Sequence, residues 1–436
     1  MSLLVVGHEP LGERMAGTSI RNWELARAVS SHLPVTIAAP GVPEVRSADF
    51  RVVGYEPGGL EDEVRKHDVV VVSGFLLERE PGLAKARHLV VDLYDPFPLE
   101  NLHLHAEASL PDRMRIDAYD RSVLTRLIRS ADMFMCASER QRDFWAGWLT
   151  SQGRVNPRLH DADPGLGSLL RVVPFGIPGH PPTPGAPRFR GVVPAIDDRS
   201  LLALWGGGIW NWFDPLTLIR AVAALEPRLP QLRLVFPALQ SPSPEVPRMP
   251  MAEQAQVLAR DLGLLGRSVI FGTDWVPYAD RGQMLLEADL GVSLHRDDVE
   301  TRYSFRTRVL DYLWAGLPVL TTAGDSMADL VAAHDLGEVV GYEDVDSVVT
   351  ALLRLADPDR RASCSERVRA LAPSFDWAEV VRPLVDYCLD PRPAPDRGLL
   401  ADALPIRRRS ALRVLREDGL TTLARKAVRE VLKARR

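Results

Sequence analysis

Cysteine is scarce in this 436-residue chain, which has only Cys136, Cys364 and Cys388. They are far apart and include no Cys-x-x-Cys pair, which excludes a disulfide framework and a cysteine-based zinc site. No apolar run approaches the roughly 18 residues that a membrane-spanning helix needs. The first apolar run is short and lacks a basic flank, so it does not resemble a signal peptide. These absences predict a protein of the reducing cytoplasm.

An excess of positive charge is also missing, because 53 Lys and Arg stand against 58 Asp and Glu, a net charge of −5. This balance excludes nucleic acid as a partner of the bulk chain. The charge is uneven, however. Residues 407–436 contain eleven basic and three acidic residues, a net +8, which leaves −13 on the first 406 residues.

The basic tail, residues 393–436, has a helical pattern of its own. Leu412, Leu415 and Leu423 recur near helical spacing with arginines between them. Such a helix either lies on an anionic membrane surface or packs against the acidic body of the protein. We expect residues 405–436 to bind an anionic membrane, which would make a cytoplasmic protein peripheral at the inner face of the cell membrane.

Short apolar runs alternate with helical patterns along most of the chain. Runs that are apolar on both faces and separated by helices are typical of buried parallel strands in a doubly wound α/β domain. In the first half, the predicted strands are residues 2–7, 35–40, 68–74, 88–95, 132–138 and 171–178. In the second half, they are residues 201–208, 233–238, 268–273, 290–295 and 318–322.

A stretch rich in proline and glycine, residues 178–198, separates the two series of strands. Its composition predicts a hinge rather than a packed element. We therefore predict two Rossmann-like domains, residues 1–177 and 199–373, that face a central cleft. Because ligands of such sheets bind outside the carboxyl ends of the strands, functional residues are expected in the loops that follow them.

Two glycine-containing loops follow predicted strands. In the first, Gly12 and Gly17 precede a helix whose free N–H groups would attract a phosphate, although a purely topological loop fits equally well. In the second, Gly206, Gly207 and Gly208 directly follow a strand. Three successive glycines favour a close approach of the backbone to a ligand over a simple turn.

Two arginines and an aspartate mark the start of a predicted helix in the second half. Ser304 is expected to begin this helix and Gly316 to end it. Arg308 and Asp311 then share a face, where they form either a surface ion pair or part of a ligand site. Arg306 and Arg308 oppose the helix dipole, an arrangement that favours a bound anion that neutralises them.

The segment TRVLDYLWAGLPVLTT, residues 307–322, resembles the nucleotide-sugar signature of retaining glycosyltransferases of family 4. In that family an acidic residue lies five positions before the glycine of an AxGxPV turn and binds the ribose hydroxyls of the donor. Asp311 holds that place before Gly316. Residues 14–28, 271–295 and 374–388 resemble other parts of the family.

The resemblance implies the GT-B fold, in which two Rossmann-like domains face a cleft and a terminal helix, here residues 374–392, crosses back onto the first domain. It implies a hexosyltransferase that takes a nucleotide-diphosphate sugar and retains the anomeric configuration, without a metal or another cofactor. The acceptor would be a glycan or a lipid-linked saccharide bound to the N-terminal domain.

One departure from the family pattern lies eight positions before the ribose acid, where the usual glutamate is Tyr303 here. Glu300 or Asp298 would have to serve from a shifted loop. A second departure follows the first strand of the second domain, where the family holds the pyrophosphate with an Arg and a Lys. This chain has Gly208 and Phe213 at those places, so the compensating charge is expected from Arg306 and Arg308.

The predicted catalytic residues are Asp95, which follows a strand of the first half, and Glu300. Asp95 and its neighbour Asp92 would orient an acceptor hydroxyl or contact the donor sugar, although a turn or capping role is equally compatible with the sequence. The predicted donor-binding residues are Gly17, Gly206, Gly207, Gly208, Arg306, Arg308 and Asp311.

Two other functions fit the same sequence. Nucleotide-sugar epimerases share the GT-B fold, and they rearrange the sugar without an acceptor. A non-catalytic nucleotide-sugar-binding subunit is suggested by the missing lysine and glutamate.

Overall fold

The computed structural model describes residues 1–239, 249–272 and 275–397. Met1–Ala394 forms one compact unit. The second unit, Pro395–Arg436, lies almost entirely outside the described residues, and the predicted membrane-binding segment 405–436 lies wholly outside them. Within the described ranges, no helix has the length and apolar character required to cross a membrane.

Two parallel β-sheets form the framework of the compact unit, with strand orders β3-β2-β1-β4-β5-β6-β7 and β10-β9-β8-β11-β12-β13. The strands of the first sheet are β1 (Leu3–Val6), β2 (Val35–Pro40), β3 (Arg51–Tyr55), β4 (Val69–Ser73), β5 (His88–Asp92), β6 (Met133–Cys136) and β7 (Leu170–Val172). Those of the second are β8 (Leu201–Leu204), β9 (Leu232–Phe236), β10 (Val269–Phe271), β11 (Leu290–Ser293), β12 (Val319–Thr322) and β13 (Gly337–Val340).

Helices connect the strands of both sheets. In the first half they are α1 (Gly17–Ser30), α2 (Glu61–Lys66), α3 (Leu76–Arg79), α4 (Phe97–Leu104), α5 (Leu110–Ser130), α6 (Glu139–Ser151) and α7 (Pro157–Ala162). In the second half they are α8 (Pro215–Leu225), α9 (Pro250–Asp261), α10 (Arg281–Leu286), α11 (Val299–Tyr303), α12 (Thr307–Ala315), α13 (Ser326–Ala333), α14 (Val345–Ala356), α15 (Pro358–Leu371), α16 (Trp377–Val380) and α17 (Arg382–Leu389). Short 3-10 turns occupy Pro81–Lys85, Tyr278–Asp280 and Ala372–Phe375.

The central strands are apolar on both faces because each face meets a separate core. In β1, Leu3 and Val5 belong to one buried cluster, whereas Leu4 and Val6 belong to another. Alternate residues of a strand point to opposite faces, so both faces of this sheet are covered. The predicted pair of doubly wound parallel sheets is therefore confirmed.

Two strands were missed by the sequence analysis, and both lie at a sheet edge. In β3 no residue is buried, and Gly54 interrupts its apolar run. In β13 only the first and last residues are buried. An edge strand has one neighbour instead of two and keeps part of its surface in water, so it lacks the continuous apolar pattern by which the central strands were predicted.

The strand order reverses at β1 and again at β8. β1 pairs with both β2 and β4, and β8 pairs with both β9 and β11. Adjacent loops at such a reversal turn in opposite directions and leave a crevice at the carboxyl end of the sheet. The fold thus provides one crevice per sheet.

The segment after α15 returns to the first sheet. Trp377 packs on Phe175 with 5.1 Å between ring centroids, and Ile177 forms a backbone bridge with Asp376. Further along, Arg171 donates a hydrogen bond of 2.8 Å to the carbonyl of Pro383. The chain is helical here in two short pieces, α16 and α17, rather than in one crossing helix.

Candidate functional site

The glycine loop after β8 is held by a tyrosine from α12. The backbone N–H of Gly206 donates to the Tyr312 hydroxyl at 2.7 Å. Gly207 has a φ of +92°, a conformation that favours glycine. The carbonyl of Gly208 accepts a hydrogen bond of 3.1 Å from Arg308. The loop therefore requires glycine at position 207 and brings its backbone beside an arginine.

The guanidinium of Arg308 is buried between aromatic rings. It lies 4.2 Å from the ring centroid of Phe213 and 4.9 Å from that of Trp205. Its Nη1 has no hydrogen-bond partner within the described ranges, and no carboxylate there forms an ion pair with it. Burial lowers the pKa of Arg308 to about 10. The charge of Asp311 offsets only part of the cost of burying this cation, and an anion bound at Nη1 would reduce that cost further.

Arg306 is also buried, but its charge is balanced inside the protein. Its guanidinium donates to both carboxylate oxygens of Glu300, at 3.1 and 2.8 Å, and lies 3.6 Å from Asp325. Burial would lower the pKa of Arg306, but the two carboxylates reverse this effect and raise it. Glu300 thus already supplies a negative charge to Arg306, and a donor-binding role of Arg306 stays a prediction.

Glu300 is fully buried in this pair, and Ser304 donates a hydrogen bond to it. The hydroxyl of Ser304 is thus engaged with Glu300 instead of capping the next helix. This explains why α12 begins at Thr307, three residues later than the sequence predicted, while it ends before Gly316 as predicted. The structure places Glu300 as the partner of Arg306, with both of its oxygens occupied.

Asp311 follows Arg308 by one helical turn and is more accessible, with 41% of its side chain exposed. Its carboxylate lies 3.4 Å from Arg281, whose guanidinium stacks over the rings of Tyr278 and Trp314. Partial burial raises the pKa of Asp311, and Arg281 opposes this shift. The arrangement leaves a carboxylate on the surface of the crevice with free acceptor capacity.

A second group of carboxyls follows β5 in the first sheet. Asp95 and Glu100 lie close enough for their side chains to interact, and the charge of Glu300 from the second sheet acts on both. Burial, together with these neighbouring charges, raises the pKa of Asp95 and raises that of Glu100 well above its ordinary value. Glu100 was missed by the sequence analysis. Its position in the first turn of α4, five residues after Asp95, was the available signal.

Asp92, the last residue of β5 and three residues before Asp95, has a structural partner. It forms a buried ion pair with Arg21 of α1, with distances of 2.5 and 3.1 Å. Arg21 also donates to the carbonyls of Val173 and Pro174. The pair links α1 to β5 and to the residues that follow β7. Asp92 therefore has a structural role, which differs from that of Asp95.

Gly17 is the first residue of α1 rather than part of the loop before it, and the start of this helix already contacts a carboxylate. Thr18 and Ser19 donate their hydroxyls to Glu9, at 2.7 and 2.9 Å. A Cβ at Gly17 would meet nothing within 4 Å. The geometry here contains no close backbone approach of the kind seen at Gly206–Gly208.

The two crevices face each other, and side chains join them. Gln141 donates to the carbonyl of Tyr94 in the first half and to that of Tyr303 in the second, at 2.8 and 2.9 Å. Tyr303, which stands where the family has a glutamate, packs its ring 4.7 Å from that of Phe144. Asp298 lies 3.1 Å from His103.

One further polar group points into the same region. His295, at the end of β11, is fully buried, and its Nδ1 has no hydrogen-bond partner within the described ranges. Burial and the nearby Arg306 and Arg308 lower its pKa well below the usual value, so the ring is neutral. Across residues 1–239, 249–272 and 275–397, no group of His, Cys, Asp and Glu is arranged to hold a metal ion.

Comparisons with known proteins agree with this architecture. No protein-family profile matches the chain. A curated relative, the chitobiosyldiphosphodolichol beta-mannosyltransferase of Yarrowia lipolytica, is 28% identical over 173 residues. That match spans 36% of this chain and only 35% of the relative.

Solved structures match over most of the chain. WaaG, a glycosyltransferase involved in lipopolysaccharide biosynthesis, is 16% identical with a TM-score of 0.61, covering 89% of this chain and 100% of WaaG. Sucrose-phosphate synthase from Thermosynechococcus elongatus is 16% identical with a TM-score of 0.62, covering 88% of this chain and 97% of the other. HepE from Anabaena in complex with UDP-glucose is 16% identical with a TM-score of 0.59, covering 89% and 99%.

These likenesses, together with the two facing parallel sheets, define the chain as a protein of the GT-B fold. The fold that the resemblance to family-4 glycosyltransferases implied is confirmed.

The raised pKa of Glu100 predicts a pH-dependent stability. Because the pKa of Glu100 is raised on folding from its ordinary 4.5, the wild-type protein loses stability as the pH rises from about 4.5 through the raised pKa. Glu100→Gln keeps a hydrogen-bond donor and removes the ionisation. We expect it to increase the free energy of unfolding by about 1 kcal/mol at pH 7.5, and by little near pH 4.5.

Urea unfolding at several pH values measures this difference. The exposed Glu107→Gln is the control and should leave the pH profile unchanged. A uniform destabilisation of Glu100→Gln at every pH would contradict the raised pKa of Glu100.

Proposed function

We propose that the chain is a glycosyltransferase that binds a nucleotide-diphosphate sugar in the crevice of its second sheet. The observation that carries this proposal is the buried Arg308, which lies beside the Gly206–Gly208 loop with an unpartnered Nη1. A pyrophosphate would supply the missing negative charge and accept charge-assisted hydrogen bonds. The loop after β8 would add close backbone contact on the same side.

Arg308 would replace the cations that the family places on this loop. Phe213 stands where the resemblance implies a lysine. The centroid of its ring lies 4.2 Å from the Arg308 guanidinium. An arginine stacked on aromatic rings stays charged while it is shielded from water. The cation would thus come from α12 while still facing the same loop.

Asp311 would bind the ribose of the donor. It is half-exposed, lies one helical turn beyond Arg308, and is oriented by Arg281. A carboxylate accepts hydrogen bonds from two vicinal hydroxyls without needing a proton of its own. This arrangement supports the role that the family resemblance assigns to the position.

The acceptor would bind on the first sheet, near the Asp95–Glu100 pair. The carboxyl oxygens of this pair can accept hydrogen bonds and thereby orient a sugar hydroxyl. Glu300 would hold Arg306 in place.

The mannosyltransferase that matches part of the chain is named for a diphosphodolichol-linked substrate, and WaaG for lipopolysaccharide biosynthesis. These names support a lipid-linked saccharide as acceptor and a cytoplasmic enzyme working at the membrane surface.

The reaction would need no protein nucleophile. The family resemblance implies attack by an acceptor oxygen on the anomeric carbon from the side of the leaving group, with retention of configuration. The bond from that carbon to the β-phosphate oxygen breaks, the new glycosidic bond forms, and a phosphate oxygen takes the acceptor proton. The protein would contribute positioning and the positive charge of Arg308 on the departing diphosphate, without a metal.

Replacing Arg308 by methionine tests whether this residue binds the donor or only stabilises the fold. Arg308→Met removes a buried unpaired cation, so we expect the ligand-free protein to melt at the same or a higher temperature. Donor affinity should fall by about 10- to 100-fold, since charge-assisted hydrogen bonds to the diphosphate are lost. A thermal-shift screen of UDP-, GDP-, dTDP- and ADP-sugars first identifies the donor, and calorimetry then measures affinity.

The exposed Arg302→Met serves as the control and should change neither quantity. An Arg308→Met protein that is strongly destabilised yet binds the donor normally would contradict the proposal.

Asp311→Ala tests the ribose contact. We expect wild-type protein to bind the donor nucleotide more tightly than its 2′-deoxy form, and Asp311→Ala to lose this preference together with most of its affinity. Because the carboxylate must be ionised and its pKa is raised, wild-type affinity should fall on acidification at a higher pH than for an exposed aspartate. The variant should not show that fall.

Asp346→Ala, at an exposed position of α14, should behave as wild type. An unchanged preference for ribose in Asp311→Ala would remove Asp311 from the donor site.

Incubation with the donor, with and without a lipid-linked saccharide, distinguishes the enzyme classes. A glycosyltransferase forms product only when the acceptor is present, and NMR of the new linkage should give the anomeric configuration of the donor. Turnover of the donor alone would instead identify an epimerase. Donor binding with no turnover on any acceptor would identify a non-catalytic binding subunit.

A further inference from the structure

Two tryptophans follow the glycine loop of the second sheet and have no part in the proposed donor site. Trp210 and Trp212 stack on each other, with 5.4 Å between their ring centroids and 12° between the ring planes. Trp212 is 6% exposed and belongs to the core of the second half, whereas Trp210 is only partly buried and packs against that core from outside. The accessible part of the stack is therefore the ring of Trp210.

The indole N–H groups of this stack differ from those of the tryptophans near it. Trp205, Trp275 and Trp314 each donate their indole N–H to a backbone carbonyl. Within residues 1–239, 249–272 and 275–397, Trp210 and Trp212 form no such bond, and their nitrogens are not among the enclosed polar atoms that lack a partner. Solvent reaches both N–H groups, so they are available to donate to a ligand.

Polar groups from both halves of the protein lie beside the stack. The ring of His103, near the end of α4, has its centroid 6.3 Å from that of Trp212, and it lies 3.1 Å from Asp298. Asn211, between the two tryptophans in the chain, donates to the carbonyl of His103 at 3.5 Å. The stack thus lies where the first half meets the second.

Arg296 places a cation on the same side as Trp212. Its backbone N–H donates to the carbonyl of Trp212, next to the antiparallel bridge between Phe213 and His295. Successive side chains of such a bridge point to opposite sides, so Arg296 and Trp212 share the side away from Phe213. The Nε of Arg296 is enclosed and has no hydrogen-bond partner in the described part of the chain.

A saccharide matches this combination of groups. One face of a pyranose ring consists of C–H groups and packs against an aromatic ring, while its hydroxyls both donate and accept hydrogen bonds. Donors are available from Arg296 and the indole N–H groups, and Asp298 is an acceptor that is 30% exposed. The charges of Arg296 and Asp298 offset each other, so the surroundings of the stack favour a neutral ligand rich in hydroxyls.

The stack is separate from the place proposed for the nucleotide. The ribose would bind Asp311, beside Arg281 and the rings of Tyr278 and Trp314 that Arg281 contacts. Trp210 instead adjoins α4, because Leu104 packs against the same core.

The position of α4 relates the stack to the acceptor side of the cleft. This helix begins two residues after Asp95, and its eight residues span about 12 Å. Asp95 therefore lies at one end of α4 and the tryptophans lie at the other. A glycan that places one sugar at Asp95 can reach the stack with another.

We propose that Trp210 is the binding platform for an acceptor sugar that lies away from the reacting hydroxyl. The pyranose ring packs on the accessible part of Trp210, and Arg296 and Asp298 hydrogen bond to its hydroxyls. The identity of this ligand as the acceptor rests on the proposed function. The preferred acceptor then contains at least two sugar residues, one at Asp95 and one at the stack.

Glycan binding tests the platform without any turnover. The probe is an array of linker-borne mono-, di- and trisaccharides of mannose, glucose, galactose, rhamnose and N-acetylglucosamine. We expect the full-length wild type to bind particular di- or trisaccharides and Trp210→Ala to bind them about tenfold more weakly. Trp210→Phe keeps an aromatic ring and should stay within about threefold of the wild type.

Trp148→Ala is the matched control, because Trp148 of α6 is also partly buried and lies in the first half. It should bind glycans as the wild type does.

Donor calorimetry and acceptor kinetics provide a second measurement. Donor affinity should be unchanged in Trp210→Ala, which also shows that this variant is folded. The KM for the acceptor should rise about tenfold while kcat changes less than twofold, because a contact away from the reacting atoms is equally strong in the ground and transition states. Glycan binding in a protein that binds no donor would contradict the proposed function but not the platform.

Three results would overturn the platform: equal glycan binding by wild type and Trp210→Ala, a wild type that binds no glycan on the array, or a loss of donor affinity in Trp210→Ala. The last result would assign the stack to the nucleotide.

Discussion

A single buried hydroxyl, that of Tyr312, fixes the loop on which the candidate donor site depends. It accepts from the N–H of Gly206 and lies 3.0 and 2.8 Å from the carbonyls of Leu204 and Val292, at the ends of two neighbouring strands. Backbone groups at buried strand ends must find partners, and one side chain serves several of them here. Gly291 makes room for the ring, since a Cβ there would lie 2.2 Å from it. Burial raises the pKa of Tyr312 to about 12, so the hydroxyl keeps its proton.

The anchor at Tyr312 also determines where Arg308 lies. The two residues are four apart on α12 and therefore share a face of the helix. With Tyr312 pinned to the strand ends, Arg308 is brought over Phe213 and against the carbonyl of Gly208. A helix held less firmly would let this guanidinium turn outward to water, because it has no carboxylate partner to keep it inside. The position of Arg308 thus depends on the packing of α12 together with its contacts to the Phe213 ring and the Gly208 carbonyl.

Arg306 and Arg308 are two residues apart but differ in their partners: Arg306 forms buried ion pairs, whereas Nη1 of Arg308 has no hydrogen-bond partner in the described part of the chain. Arg306 and Glu300 satisfy each other, so the loss of either would leave an uncompensated buried charge, which typically costs 3 to 5 kcal/mol. Arg308 bears such a cost already, reduced by the aromatic faces that it contacts. The sequence placed both arginines near a ligand site but could not separate them. The distinction depends on Glu300 and Asp325, whose positions relative to Arg306 arise from the fold of the following loops.

A structural feature could be predicted from the sequence when the residues that produce it lie within one short stretch of the chain. Central parallel strands are apolar on both faces, and α12 ends at a glycine with a φ of +72°, so both features were visible in a short window. Arg21 and Asp92 are 71 positions apart, so their ion pair could not be predicted from a short stretch of sequence. Local chemistry also left the role of Gly17 open: the sequence indicates a glycine near a helix start, but not that Glu9 from the preceding loop lies against the hydroxyls of the first turn.

The charge of the whole chain bears little on the proposed donor site. A net −13 over the first 406 residues would repel a polyanion in pure water, but at physiological ionic strength charges more than about 8 Å apart are largely screened. Local groups then decide, and the second sheet presents an unpaired arginine. Across the cleft, the first sheet presents Asp95 and Glu100, whose pKa values are raised by burial and by the nearby charge of Glu300. An arginine on one side and carboxyl groups on the other support placing the donor diphosphate on the arginine side and the neutral acceptor hydroxyls on the carboxyl side.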